Sequence, residues 1–126
     1  EAARVLRPGG LLVFTDIMQA DGADTSQLAP VYKRLALEDM GSPGKYVQWA
    51  AQAGLRLRHY EDHTEEMITH YDTVRRVLER HRPRLEGKIS TAYIENMLTG
   101  LRAWVEQGGK GNLAWGFMVF EKPQRR

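Results

Sequence analysis

The stretch Arg4-Val5-Leu6-Arg7-Pro8-Gly9-Gly10-Leu11-Leu12-Val13-Phe14-Thr15-Asp16 decides how the rest of the chain is read. Pro8 cannot continue a helix, and its ring drives Arg7 out of the helical region. Gly9 and Gly10 supply the backbone freedom that a sharp reversal needs. Leu11 to Phe14 is an unbroken apolar run rather than an alternating one, the pattern of a central parallel strand covered on both faces. The segment therefore predicts a helix end, a reversal and a buried strand. Asp16 is expected where the strand's carboxyl end should lie, the edge at which open α/β sheets bind ligands.

Composition bounds what surrounds this joint. The chain has 126 residues, 42% of them hydrophobic and 27% charged, which suits one globular domain rather than a disordered segment. The absence of cysteine excludes disulfides and thiolate metal sites, and no metal is expected. A net charge of +2 with interspersed acids does not indicate a nucleic-acid binder. No apolar run approaches the roughly 20 residues of a membrane helix, and no signal peptide appears. The expectation is a soluble cytoplasmic protein without nucleic-acid or membrane partners. Glu1-Ala2-Ala3-Arg4 starts in mid-helix without a capping residue, which predicts a fragment of a longer chain.

After Asp16, residues 18–25 are small and polar and predict a loop, with Thr25 or Ser26 as a helix cap. Gln27 to Met40 carries helical spacing, with Pro30 in its first turn. Ser42 and Pro43 read as the cap and first residue of a second helix, with Tyr46, Val47, Trp49, Ala50 and Ala53 on its buried face and Gly54 at its end. Leu55 to Tyr60 alternates and predicts a strand with one covered face. Thr64 opens a long helix with Pro83 as a stop or kink, and Ser90 caps another whose stripe includes Ile94, Leu98, Leu101 and Trp104. Gly108 to Asn112 ends it, and Leu113 to Phe120 is a final apolar strand.

The fold class predicted is α/β, with a small three-stranded mixed sheet and about five helices. The segment from Ala3 to Asp16 resembles the lead into the fifth strand of class I S-adenosylmethionine-dependent methyltransferases, a Rossmann-like fold. The runs PVYKRLALEDMGSPGKY (30–46), HYDTVRRVLE (70–79) and ENMLTGLRAWVEQGGKGNLAWGFMVFEKP (95–123) resemble the C-terminal half of sarcosine/dimethylglycine N-methyltransferases, which complete glycine betaine synthesis. The resemblance implies that residues 1–126 are the fifth to seventh strands with helical acceptor-binding insertions, the last strand lying antiparallel between the other two. It implies S-adenosylmethionine as cofactor, bound mainly by an absent N-terminal half. That family uses a glycine-rich turn after its first strand and an acid after its second, and neither is in this chain. Gly108 to Gly111 follows a helix and precedes a strand, the wrong order for a nucleotide loop.

Methyl transfer from a sulfonium to an amine is a direct displacement, so the protein's task is alignment and exclusion of water, and no catalytic side chain is assigned. An amino-acid acceptor presents a carboxylate, which an Arg fork, His or hydroxyl can grip. Its methylated amine suits aromatic faces. Asp16, Met18 and Gln19 are candidates by their place at the strand end. Tyr32 and Arg34 match the family's YxR, the alternative being a core tyrosine and a solvated arginine. His70 and Tyr71 are candidates, although neighbours on a helix point ~100° apart. Trp115 is a candidate aromatic wall, a core position being the alternative. Trp49 and Trp104 are expected in the core, His59 and His63 are discarded as ligands, and the arginines at 75, 76, 80, 82 and 84 are read as a solvated face.

The reading is an N-methyltransferase fragment, itself inactive, whose parent acts on sarcosine or dimethylglycine. A related enzyme for another small amine or lipid head group is the alternative, and an Arg-rich binding module a third. The first strand is expected to lack its neighbour and to leave an apolar edge, so the fragment should dimerise through edge pairing or exchange of helices.

Overall fold

A computed structural model describes residues 1–124. Three strands, β1 (Leu11–Gln19), β2 (Arg56–Asp62) and β3 (Leu113–Glu121), form one sheet in the order β1-β3-β2. Both ladders are antiparallel, so β1 and β2 run in the same direction on either side of β3. This is the inserted last strand that the family resemblance implies. The helices are α1 (Ala2–Val5), α2 (Ala29–Leu35), α3 (Pro43–Gln52), α4 (Thr64–Leu85) and α5 (Thr91–Gly109), with a 3-10 turn at Thr25–Leu28.

The reversal at Pro8-Gly9-Gly10 forms as predicted, with Gly9 at φ +81°. Gly9 N donates to the Lys122 carbonyl at 2.6 Å and Lys122 N to the Gly10 carbonyl at 2.9 Å, so the turn is stitched to the end of β3. Lys122 Nζ also donates to the Ala3 and Leu6 carbonyls, satisfying acceptors that the short α1 leaves open.

The sheet has one core on each face. Under α1 and α3, Met18, Ala114, Met118 and Phe120 pack with Leu12, Phe14, Tyr46 and Ala50. Against α2, α4 and α5, Leu113 packs with Leu28, Val31, Met67 and Trp104, flanked by Ile17 and Trp115. Met18, Met118 and Phe120 are at most 1% exposed, each contributing about 1.5–3 kcal/mol by burial. Gly116 lets β2 approach closely: a Cβ there would sit 3.0 Å from the Glu61 carbonyl carbon and nearer still to its oxygen.

Several local expectations are corrected. The first strand does not end before Asp16 but runs to Gln19, because all nine residues of β3 offer it partners, from Leu11↔Glu121 to Gln19↔Leu113. It is not covered on both faces either: Leu11 is 48% and Val13 59% exposed, since among the described residues no helix lies over them. Helix α2 stops at Leu35 rather than Met40, where Ala36 turns left-handed (φ 54°), and its 3-10 entry is capped by Asp24 through Ser26 N. Trp49 is 48% exposed, because α3 meets the sheet through Tyr46 and Ala50 and carries Trp49 to its flank. Edge strand β2 is largely exposed, with Leu57 at 40%. Pro83 neither stops nor visibly splits α4, since it falls in the last turn. Ser42 and Ser90 cap α3 and α5 as read, accepting from Lys45 N and Tyr93 N.

Candidate functional site

Alternation along β1 divides the sequence candidates between the two faces of the sheet. Asp16 and Met18 belong with the α3 face. Met18, expected to line a cavity, is 0% exposed among Leu55, Ala114, Met118 and Phe120. Asp16 sits in mid-strand opposite Gly116 and accepts a hydrogen bond from the Tyr46 hydroxyl. Burial first, and then that hydrogen bond and charge, push the Tyr46 phenol up to about 12.

Gln19 faces the other way. It is buried, its N–H donates to the Gly41 carbonyl at 2.9 Å, and its Oε1 accepts from the Tyr32 hydroxyl at 2.5 Å. Burial, followed by the Asp39 charge, raises the Tyr32 phenol above its usual range. The pair joins α2 to the end of β1 and closes that side of the core.

His70, Tyr71 and Trp115 are brought together. With Ile17, Glu66 and Met67 they line a cleft of about 400 Å³ between the sheet and α4. Ile17 and Trp115 are cross-strand partners and form its floor. Trp115 is held by its main chain, its N–H donating to Thr64 Oγ1 at 3.1 Å and its carbonyl accepting from His63 N at 2.7 Å. The Tyr71 ring stacks on the core Trp104 (5.3 Å, 21°), and the His70 ring meets Tyr71 edge-on at 5.0 Å. Both neighbours reach the cleft, one with its face fixed by the core and one from the rim.

Glu66 was missed from the sequence, where it reads as one more acid in the first turn of α4. Its signal is the four-residue spacing to His70, which puts both on one stripe. Glu66 Oε1 lies 3.4 Å from His63 Nδ1, while His63 Nε2 lies 3.1 Å from Glu61. Partial burial disfavours the His63 imidazolium, but hydrogen bonds to Glu66 and Glu61 outweigh it and raise its pKa. Two aromatic rings, an imidazole and a carboxylate on an apolar floor can hold a small cation.

Arg34 lies elsewhere. Two residues on from Tyr32 it projects about 200° away and lines a larger cleft, about 720 Å³, between α2 and α5 with Lys33, Asn96, Thr99 and Gly100. The larger cavity is therefore not the aromatic one.

The glycine cluster at residues 108–111 does not form a nucleotide loop. Gly108 packs its bare Cα against Ile68, and Gly111 is the left-handed residue of the turn into β3 (φ +82°), so this glycine cluster serves packing and reversal.

No protein-family model matches the chain. It is 45% identical over 122 residues to the sarcosine/dimethylglycine N-methyltransferase of Halorhodospira halochloris, covering 97% of this chain and 44% of that protein. Among solved structures, a candidate sarcosine dimethylglycine methyltransferase from Galdieria sulphuraria superposes with a TM-score of 0.88 at 35% identity, over 99% of this chain and 46% of that one. The phosphoethanolamine N-methyltransferase 2 of Haemonchus contortus, solved with phosphomonomethylethanolamine and S-adenosylhomocysteine, gives 0.80 at 18% identity, over 98% of this chain and 28% of that one, a likeness of fold alone. The chain spans less than half the length of these proteins. Its fold is the C-terminal portion of a class I S-adenosylmethionine-dependent methyltransferase, and it is related in sequence to the sarcosine/dimethylglycine N-methyltransferases.

Proposed function

We propose that residues 1–126 are the acceptor-binding C-terminal portion of an S-adenosylmethionine-dependent N-methyltransferase, comprising the fifth to seventh strands of the domain and its helical insertions. The parent enzyme methylates sarcosine and dimethylglycine and yields glycine betaine, an osmoprotectant, in the cytoplasm. The observation that carries this reading is the sequence relationship to named sarcosine/dimethylglycine enzymes over nearly the whole chain. When bound, the cofactor supplies an electrophilic methyl group, and it is held mainly by the part of the enzyme outside this chain, a reading supported by the packing and turn roles of the glycine cluster here. The chain's own part is to receive the amine. Trp115 and Tyr71 offer π faces to the methylated nitrogen, Glu66 offsets its charge, and His70 stands at the rim. Gln19 and Tyr32 hold the adjoining wall, and Asp16 and Met18 support β1 from behind.

A cleft of about 400 Å³ with a carboxylate on its wall favours a small amine over a lipid chain. The binding-module reading loses ground because Arg75, Arg76 and Arg82 are engaged by Asp72, Glu79, Glu86 and Glu95. No helix among the described residues is long and apolar enough to cross a membrane.

The test is a methyl-transfer assay with labelled S-adenosylmethionine and, in turn, glycine, sarcosine and dimethylglycine. It is run on this chain and on the longer enzyme that contains it. Betaine from the longer enzyme, with none from the chain alone, is the expected result. Absence of product from every acceptor with the longer enzyme overturns the assignment, and product from the chain alone overturns the division of labour.

A further inference from the structure

We infer that His63 is a positioning residue of the aromatic cleft that acts through Glu66: it takes over from that carboxylate the proton an amine acceptor must lose before its nitrogen can attack. The inference rests on the proposed function for the identity of the amine and on the side-chain geometry for the proton path. An aliphatic amine carries a proton near neutrality, and that proton occupies the electron pair that has to form the new bond. Glu66 is the one acid among the described residues lining the cleft, so it is placed to receive the proton. A carboxylic acid is a poor place to leave it, because a carboxylate is a weak base near neutrality. Once neutral, Glu66 also no longer offsets the charge that methylation returns to the nitrogen. A second acceptor behind Glu66 removes both difficulties.

His63 stands in that place. Its Nδ1 lies 3.4 Å from Glu66 Oε1 and its Nε2 3.1 Å from Glu61 Oε1, while the other Glu61 oxygen lies 3.6 Å from His59 Nε2. Carboxylate and imidazole therefore alternate from the cleft to the exposed edge strand β2. A neutral imidazole has one N–H and cannot donate to two carboxylates at once, whereas an imidazolium can, so the arrangement is built to take up one proton. The ring is held in position. His63 N donates to the Trp115 carbonyl, and the imidazole stands edge-on to Phe117 at 5.3 Å and 90°. Strand β2 brings Glu61 to it, with His59 behind, and Asp62, which accepts from the Thr64 and Tyr60 hydroxyls. Helix α4 brings Glu66, with Glu65 beside it in the first turn, and β3 brings the Trp115 and Phe117 rings. Partial burial disfavours the imidazolium, but Glu66 and Glu61 together outweigh it and raise the pKa, which suits a proton acceptor working near neutrality. The ammonium proton passes to a Glu66 oxygen and leaves its electron pair on the amine nitrogen. Glu66 passes the proton to Nδ1 of neutral His63, and the Nε2 proton of the imidazolium leaves past Glu61 to water. Glu66 is a carboxylate again when the nitrogen takes up its fourth carbon.

The pH dependence of kcat, measured on the longer enzyme with saturating dimethylglycine, tests this. In the wild type kcat should rise with pH as His63 becomes neutral. His63→Gln keeps a polar side chain that cannot take a proton. It should lower kcat about tenfold or more near neutrality and abolish that limb, with KM nearly unchanged. Its deficit should shrink as the pH is raised, because more of the amine then arrives already deprotonated. Glu61→Gln leaves His63 in place but removes a carboxylate that favours the imidazolium, so the limb should move to lower pH. That variant also keeps the test open if circular dichroism shows His63→Gln to be misfolded. His81→Gln, a histidine of α4 several turns away, should leave the profile as it is. A loss in His63→Gln that is equal at every pH, or a limb that survives both substitutions, overturns the relay. The couple is also read without turnover, by titrating the His63 imidazole nitrogens by NMR: their midpoint should fall in Glu66→Gln and in Glu61→Gln. A midpoint that neither substitution moves overturns the inference, whatever the enzyme transfers. A coupled midpoint in an enzyme that methylates no acceptor keeps the proton path from Glu66 and sinks the proposed function.

Discussion

The Tyr46 hydroxyl donates a hydrogen bond to the Asp16 carboxylate and so ties α3 to the middle of β1. The phenol is pushed up to about 12 from an ordinary 10.0, by burial first and by Asp16 second. Tyr60 is pushed up to about 12 likewise, by burial and then by Asp62. A raised folded pKa means that the unfolded chain releases these protons first. Their contribution is therefore intact below pH 10 and declines between about pH 10 and 12. In an ultraviolet difference titration, two of the five tyrosines should ionise near 12, and Tyr46→Phe should remove one of them. The same variant should lose about 1–2 kcal/mol of stability, because Asp16 is left without its donor. Five tyrosines titrating together near 10 would refute the arrangement.

Gly116 is a matter of backbone clearance. An added methyl meets the Glu61 carbonyl, which is main chain of the neighbouring strand and cannot swing away. Gly116→Ala should cost about 2–3 kcal/mol, read as a lower denaturant midpoint. Gly109→Ala is the control: nothing lies within 4 Å of its would-be Cβ, so it should be neutral or slightly stabilising.

What the residue order reveals here follows the range of each interaction. The Pro8-Gly9-Gly10 reversal, the Ser42 and Ser90 caps and the helical stripe of α5 are local and were legible. The length of β1 was not, because Asp16 and Gln19 are strand residues only by virtue of Gly116 and Leu113, about a hundred positions away. The same distance explains the candidate site. His70, Tyr71 and Trp115 share a cleft through the packing of α4 on β3, whereas Met18 fell to the core because its alternation phase could not be read without the ladder. Glu66 was hidden for the same reason, since an acid in a helix's first turn has an ordinary explanation in the helix dipole.

The free edge of β1 makes a separate prediction. Leu11 is 48% and Val13 59% exposed, on a strand that among the described residues pairs only with β3. Such edges recruit strands from other molecules. The chain should sediment as a dimer at micromolar concentration, and Val13→Lys should shift it to monomer. A wild-type monomer under those conditions sinks the idea.

Trp115 gives the sharpest test of the aromatic cleft. Its N–H and carbonyl are both held, by Thr64 and His63, so substitution changes the wall without moving the strand. Loss of a π face against a desolvated ammonium is worth about 1–2 kcal/mol, or roughly five- to thirtyfold in affinity. In the methyl-transfer assay Trp115→Ala should therefore raise the KM for dimethylglycine by about that factor, while Trp115→Phe keeps most of the affinity. Glu66→Gln should act in the same direction, because it removes the charge and keeps the shape. Trp49→Phe reports on the opposite face of the sheet, where the ring is half exposed on α3, and should leave KM unchanged. If Trp115→Ala and Glu66→Gln both leave KM unaltered in folded protein, the amine is received elsewhere, and the α2–α5 cleft becomes the place to look.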